Sequence, residues 1–166
     1  MVWCGWRCVE YVDDGVRNWH GAVRNPRIRR RFWARCVPDL GSGCVVWTGA
    51  ISGRGHGRFW VGQGWVVIAH RYAWALTHDQ IPPAMIAHRC DNPICQNPDH
   101  LVASSPRENA MDWVHRRDTI GSPLRDVRGA HGRAIAIRQA VREGRDLTAV
   151  LAEGISDADR RQIPLW

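Results

Sequence analysis

The chain has 166 residues; its 23 basic residues are all arginine, and against 16 acidic residues they leave a formal charge of +7. That length suits one compact domain with flanking arms, or two small lobes sharing a core. With no run of eighteen apolar residues and no signal-peptide pattern at the N-terminus, a membrane span or a secreted product is not expected, and a soluble, cytoplasmic protein is.

In that compartment the six cysteines are expected to be reduced or metal-bound rather than paired. Arginine forks onto phosphate oxygens, so the positive surplus predicts a polyanionic partner. A coding bias explains the missing lysine but not the net charge. Most of the ten tryptophans are expected in the core.

Residues 1–30 mix Trp, Cys, Asp and Gly without a period of 2 or 3.6 and run into Arg27, Arg29, Arg30 and Arg31. They read as a basic, poorly ordered arm, resting on nucleic acid or simply solvated. From Cys44 the runs "CVVWTGAI", "GRFWV" and "WVVIA", separated by "SGRGHG" and "GQG", predict a three-stranded antiparallel sheet. "AHRYAWALTH" (69–78) predicts a short helix stopped before "DQIPP".

"AMIAHRC" and "HLVAS" are brief strands on either side of a Cys/His-rich loop. "SPREN" then opens a helix, with Ser105 as N-cap, Pro106 at the first position and Glu108 closing a capping box. Beyond 120, apolar residues at 135, 137, 140, 141, 147, 150 and 151 predict one amphipathic helix, or two joined at Gly144. The domains expected are the arm (1–30), a central unit (31–120) and a helical C-terminal extension (121–166) that packs or binds DNA. The fold class is α+β.

The chemistry concentrates in "AHRCDNPICQNPDHL" (87–101). Cys90, Cys95 and His100, each separated by four residues, have the spacing of metal ligands. Cys44, at the start of the first predicted strand, is the best fourth candidate for a closed tetrahedral Cys3His zinc site. His88 lies two residues before Cys90, on the same strand face, so spacing alone leaves it open as a further ligand. Four ligands already suffice, and a rigidly held histidine titrating near neutrality suits a general base. Asn109, in the first turn of the capped helix, offers an oxygen suited to magnesium.

Together these features resemble the His-Me finger (ββα-metal) nucleases, and within them the phage HNH endonucleases and the His-Cys box homing endonucleases. The likeness runs through "RFWAR" (31–35), "CVVWTGA" (44–50), "GHGRF" (55–59), "AHRYAWAL" (69–76), the segment 81–101 and "SPREN" (105–109). It implies a ββα-metal core with structural zinc on Cys44, Cys90, Cys95 and His100. It further implies His88 as general base, Asn109 as ligand of one catalytic magnesium or manganese ion, and Arg58 as the contact to the scissile phosphate.

The reaction implied is phosphodiester hydrolysis in double-stranded DNA, leaving 5′-phosphate and 3′-hydroxyl ends. Arg54, Arg71, Arg89, Arg107, Arg116 and Arg117 join Arg58 as candidates for holding the backbone. Many relatives carry an acidic residue before the base, where Ala87 stands here, which implies a loosely held metal. The last histidine of the HNH name has no secure counterpart, His115 being near. The resemblance leaves open a homodimer that makes a staggered double-strand cut, a monomer that nicks, and phage packaging proteins as partners; a phage-encoded protein is expected in the host cytoplasm. A non-catalytic zinc-stapled DNA-binding protein and a nuclease partner in packaging are the alternatives.

Overall fold

Asn25 ends one helix and begins the next. In the computed structural model, which describes residues 18–162, α1 (Trp19–Arg24) is capped by the Asn18 side chain, which accepts from the Gly21 amide. The α2 helix (Pro26–Trp33) follows, with the Asn25 side chain accepting from the amides of Arg27 and Ile28 and proline at its first position. Trp19, Ala22, Val23 and Phe32 are buried.

Residues 18–30 therefore depart from the poorly ordered arm expected of them. The asparagine caps and the 19, 22, 23 spacing of apolar side chains supply a helix that the glycine and arginines around them obscure. Residues 1–17, with Cys4 and Cys8, lie outside the described residues.

The strand expected across 44–51 is two strands. The β2 strand (Val45–Trp47) pairs antiparallel with β1 (Cys36–Pro38), which the sequence patterns did not reveal, while β3 (Ala50–Ile51) pairs with β4 (Gly57–Gly62). The fully buried Trp47 causes the break. Its indole lies so close to Gly49 and Gly57 that a Cβ at either would sit 2.6 Å from the ring, and its Nε1 donates to the Ala50 carbonyl at 3.0 Å. A three-stranded sheet remains, in the order β3-β4-β5, with β5 spanning Trp65–Ile68.

Along β4, Phe59 and Val61 point inward while Arg58 and Trp60 face out. The α3 helix (Ala69–His78) runs over the expected residues and buries Tyr72, Ala73, Trp74 and Ala75. Phe32 sits at the centre of the core, its ring centroid 4.9 Å from Tyr72, 5.2 Å from Phe59 and 5.4 Å from Trp47. The tryptophans divide: Trp19, Trp47 and Trp74 are buried, whereas Trp33, Trp60 and Trp113 are exposed.

The strands β6 (Met85–His88) and β7 (Leu101–Ser104) form an antiparallel hairpin in which His88 faces Leu101. The capping box of Ser105 and Glu108 then starts α4 (Pro106–Arg117) as the sequence predicts. No α4 residue is buried.

The C-terminal pattern resolves into α5 (Gly129–Glu143), α6 (Leu147–Ala152) and α7 (Asp157–Arg160), with Gly144 in the left-handed conformation ending α5. The α5 helix buries Ala134, Ile137 and Ala140. It is tied to the β2–β3 corner: Arg138 and Arg142 donate to the carbonyls of Gly49 and Thr48, and His131 Nδ1 lies 2.9 Å from the Ser52 carbonyl. Arg125 grips the buried Asp159 carboxylate through two nitrogens and so anchors α7. The whole is a mixture of helices and small antiparallel sheets. Among the described residues no helix is long and apolar enough to cross a membrane.

The turn before β4 is pressed against α5. Gly55 has φ +86°, and a Cβ there would lie 2.8 Å from the Ala130 carbonyl oxygen. Gly55→Ala is expected to destabilise the fold by about 1–3 kcal/mol, the range for a non-glycine residue forced into such a conformation. A chemical-denaturation midpoint unchanged from wild type would show that the turn relaxes freely.

Candidate active site

Cys95 reaches Cys44 because the loop after β6 behaves as an extra strand. The Trp47 amide donates to the Ile94 carbonyl at 2.9 Å, the Gln96 amide donates to the Val45 carbonyl at 2.7 Å, and Val46 faces Cys95 across an antiparallel bridge. Asn97 accepts from the Asp99 amide to start the short 3-10 turn Pro98–His100, and its own amide donates to the Gly43 carbonyl. These bonds bring His100 back to the cluster.

Cys44, Cys90, Cys95 and His100 thus converge, with ligand atoms all within 4.8 Å of one another. His100 Nδ1 lies 3.7 Å from Cys44 Sγ and 3.5 Å from Cys95 Sγ. Around a tetrahedral ion with ordinary metal–sulfur and metal–nitrogen bonds, such donors stand about 3.5 Å apart. The four residues fit a metal as they stand. Hydrogen bonds from Cys90 and Cys95 hold the Cys44 thiol well below its usual ionisation range, while the bond with Cys44 raises Cys90 to about 11. Three thiols crowded together ionise together only when a cation joins them.

Arg133 of α5 lines the same cavity as Cys44, Cys90 and Asn92, and its Nε and Nη1 have no hydrogen-bond partner. Its guanidinium stands beside a cluster that carries net negative charge even with a divalent ion bound. Nothing in the local sequence marked this residue, because it lies 38 positions beyond Cys95.

His88 ends β6 and is almost wholly buried. Its Nε2 lies 3.1 Å from the Cys95 carbonyl, to which it donates, so Nδ1 keeps its lone pair. Burial lowers its pKa to about 4, leaving the imidazole neutral at physiological pH. One residue of the loop therefore contributes its sulfur to the Cys/His cluster and its carbonyl to His88.

Two histidines that sequence reasoning passed over stand beside it. The ring centroids of His70 and His88 are 4.6 Å apart, those of His56 and His70 are 5.3 Å apart, and those of His56 and His88 are 6.0 Å apart. His56 is delivered by the tight turn before β4, and His70 by the first turn of α3. Burial lowers the pKa of both, with the Arg54 charge adding to the effect at His56.

Asn109 is half-buried in the first turn of α4, and its side chain takes part in no hydrogen bond among the described residues. Arg58 is exposed on the outward face of β4, in register with Ala50 and Ile68. His115 is exposed near the end of α4.

The other predicted arginines divide. Arg54, Arg89 and Arg107 are exposed. Arg71 instead donates to the carbonyls of Pro82, Pro83 and Ala84, holding the entry to β6. Arg116 donates to the Arg89 carbonyl and pairs with Asp91 at 3.3 Å, fastening α4 to the Cys/His loop. Arg117 lies over the Trp113 ring at 4.7 Å and pairs with Asp118. Arg71 and Arg116 are thus straps that position the hairpin and helix carrying His88 and Asn109.

Residues 67–111, which span β5 through the first turns of α4, match the family model described as HNH endonuclease. The chain is also 39% identical over 72 residues to Protein 7.7 of Escherichia phage T7, covering 43% of this chain and 55% of that protein. It is 38% identical over 76 residues to Protein 2.8 of the same phage, covering 45% and 52%. The chain thus spans about half the length of the curated relatives it matches. No solved structure matches it. The resemblance to the HNH endonucleases read from the sequence holds: residues 67–111 match that family's model, and the similar proteins are of phage origin.

Proposed function

We propose that the chain is a metal-dependent DNA endonuclease whose residues 31–120 act as a His-Me finger unit, with β6, β7 and α4 as its ββα core. The observation that carries this reading is the state of His88: buried, neutral and fixed by the Cys95 carbonyl, with Nδ1 unprotonated, inside the segment that matches the HNH family. Such a nitrogen can take a proton from water.

In this reading Cys44, Cys90, Cys95 and His100 would hold a structural zinc, on the same loop whose Cys95 carbonyl meets the ring of His88. His88 Nδ1 accepts the proton of a water that attacks phosphorus in line. Arg58 faces the charge that builds on the phosphoryl oxygens. Asn109, whose amide lacks an internal partner, would hold magnesium, which would supply Lewis acidity to the phosphodiester. The products carry 5′-phosphate and 3′-hydroxyl ends. Double-stranded DNA is held by Arg54, Arg89 and Arg107, which are exposed, with Arg117 at the end of α4.

Supercoiled plasmid incubated with the zinc-loaded chain tests this. Nicked or linear DNA is expected with magnesium, none with EDTA, and an Asn109→Ala variant is expected to need far more magnesium for the same rate. Plasmid that is bound but stays supercoiled at every magnesium concentration would favour a non-catalytic DNA-binding protein.

A further inference from the structure

We propose that His56, His70 and His88 form a second metal site, distinct from the cysteine cluster, that takes zinc or a similar imidazole-preferring ion and thereby occupies the nitrogen His88 would use as a base. The ligand atoms of the three histidines lie within 4.8 Å of one another. A tetrahedral ion with three imidazole ligands holds their nitrogens about 3.4 Å apart, so only a small closure of the rings is required.

His70 supplies an independent sign of a missing partner. The residue is 6% exposed, and its Nδ1 is buried with no hydrogen bond. A buried ring nitrogen without a partner is unfavourable, and a histidine serving only to fill the core would be expected to find one. On His88 the Cys95 carbonyl occupies Nε2 and leaves Nδ1 for an ion. His56 is the least buried of the three and forms the edge by which an ion enters.

Three neutral imidazoles suit zinc, nickel or copper and suit magnesium poorly. Arg54 and Arg71 lie near enough to weaken the binding of a dication. The site therefore fills after the cysteine cluster, whose thiolates compensate the ion's charge. Its consequence for catalysis rests on the nuclease reading: an ion on His88 Nδ1 removes the lone pair that accepts the proton, so excess zinc inhibits an enzyme that needs one zinc to fold.

The test is a cobalt titration of the full chain already loaded with one equivalent of zinc. Wild type is expected to bind a further equivalent with weak visible bands and no thiolate-to-cobalt charge transfer. His70→Gln and His56→Asn are each expected to lose those bands while retaining the first zinc. Should His70→Gln fail to fold, His56→Asn, at the edge of the cluster, still decides.

No weak band in wild type, a band persisting in the folded variants, or cobalt bound only with thiolate charge transfer overturns the proposal. In plasmid cleavage, zinc beyond the first equivalent is expected to slow the wild type at least tenfold. A chain that binds cobalt as described but never cuts DNA would leave the site standing and remove only the nuclease reading.

Discussion

His88→Gln is expected to lower magnesium-dependent plasmid cleavage by about 10²–10⁴-fold, the range for removing a positioned general base. Glutamine is chosen because its amide can still donate to the Cys95 carbonyl, which His88 Nε2 meets at 3.1 Å. The loss is therefore chemical rather than structural. Zinc content is expected to be unchanged, and the unfolding free energy to fall only by what one imperfect hydrogen bond contributes, about 0.5–1.5 kcal/mol. His88→Ala should cut no faster than His88→Gln. If His88→Gln cleaves within threefold of wild type, His88 is not the base, and the neighbouring His70 becomes the first group to examine.

The hairpin, its loop and the capped helix were legible because each is specified locally. Proline at 93 and 98, the four-residue gaps between Cys90, Cys95 and His100, and the Ser105–Glu108 capping box all act within a dozen residues. Cys44 could be proposed only as a distant partner, and the structure brings it to Cys90, Cys95 and His100.

What the sequence hid depends on side chains meeting across the fold. His56 and His70 lie 32 and 18 residues before His88, with no spacing rule linking them to it. The split of the first predicted strand at Thr48 follows from the burial of Trp47 against Gly49 and Gly57, which no β-propensity encodes. Net charge was similarly mute about which arginines are free. Arg71 and Arg116 look like their exposed neighbours in sequence, yet they strap backbone carbonyls in the fold.

Cys95→Ser is expected to have the largest effect on stability of any single change. Cys95 is fully buried, its carbonyl holds His88, and its strand-like segment is the link between β2 and the Cys/His loop. Serine keeps the volume but is a far poorer zinc ligand than thiolate. In small zinc domains the metal contributes roughly 10–16 kcal/mol to folding, as much as the entire stability of a typical domain, about 5–15 kcal/mol. The variant is therefore expected to purify without zinc and to melt without a cooperative transition, and wild type treated with a strong chelator should behave alike.

Cys36→Ser is the matched control. Cys36 lies outside the cluster, its Sγ donates to the Phe32 carbonyl at 3.5 Å, and burial pushes its thiol up to about 12. As an unligated core thiol, it should tolerate serine with full zinc content and a modest loss of stability. Metal analysis with a thermal melt on the two variants separates the cases: equal zinc and equal melting in both would mean that the cysteine cluster is not what holds the loop. Loss confined to Cys95→Ser would fix the metal as the element on which His88's position depends.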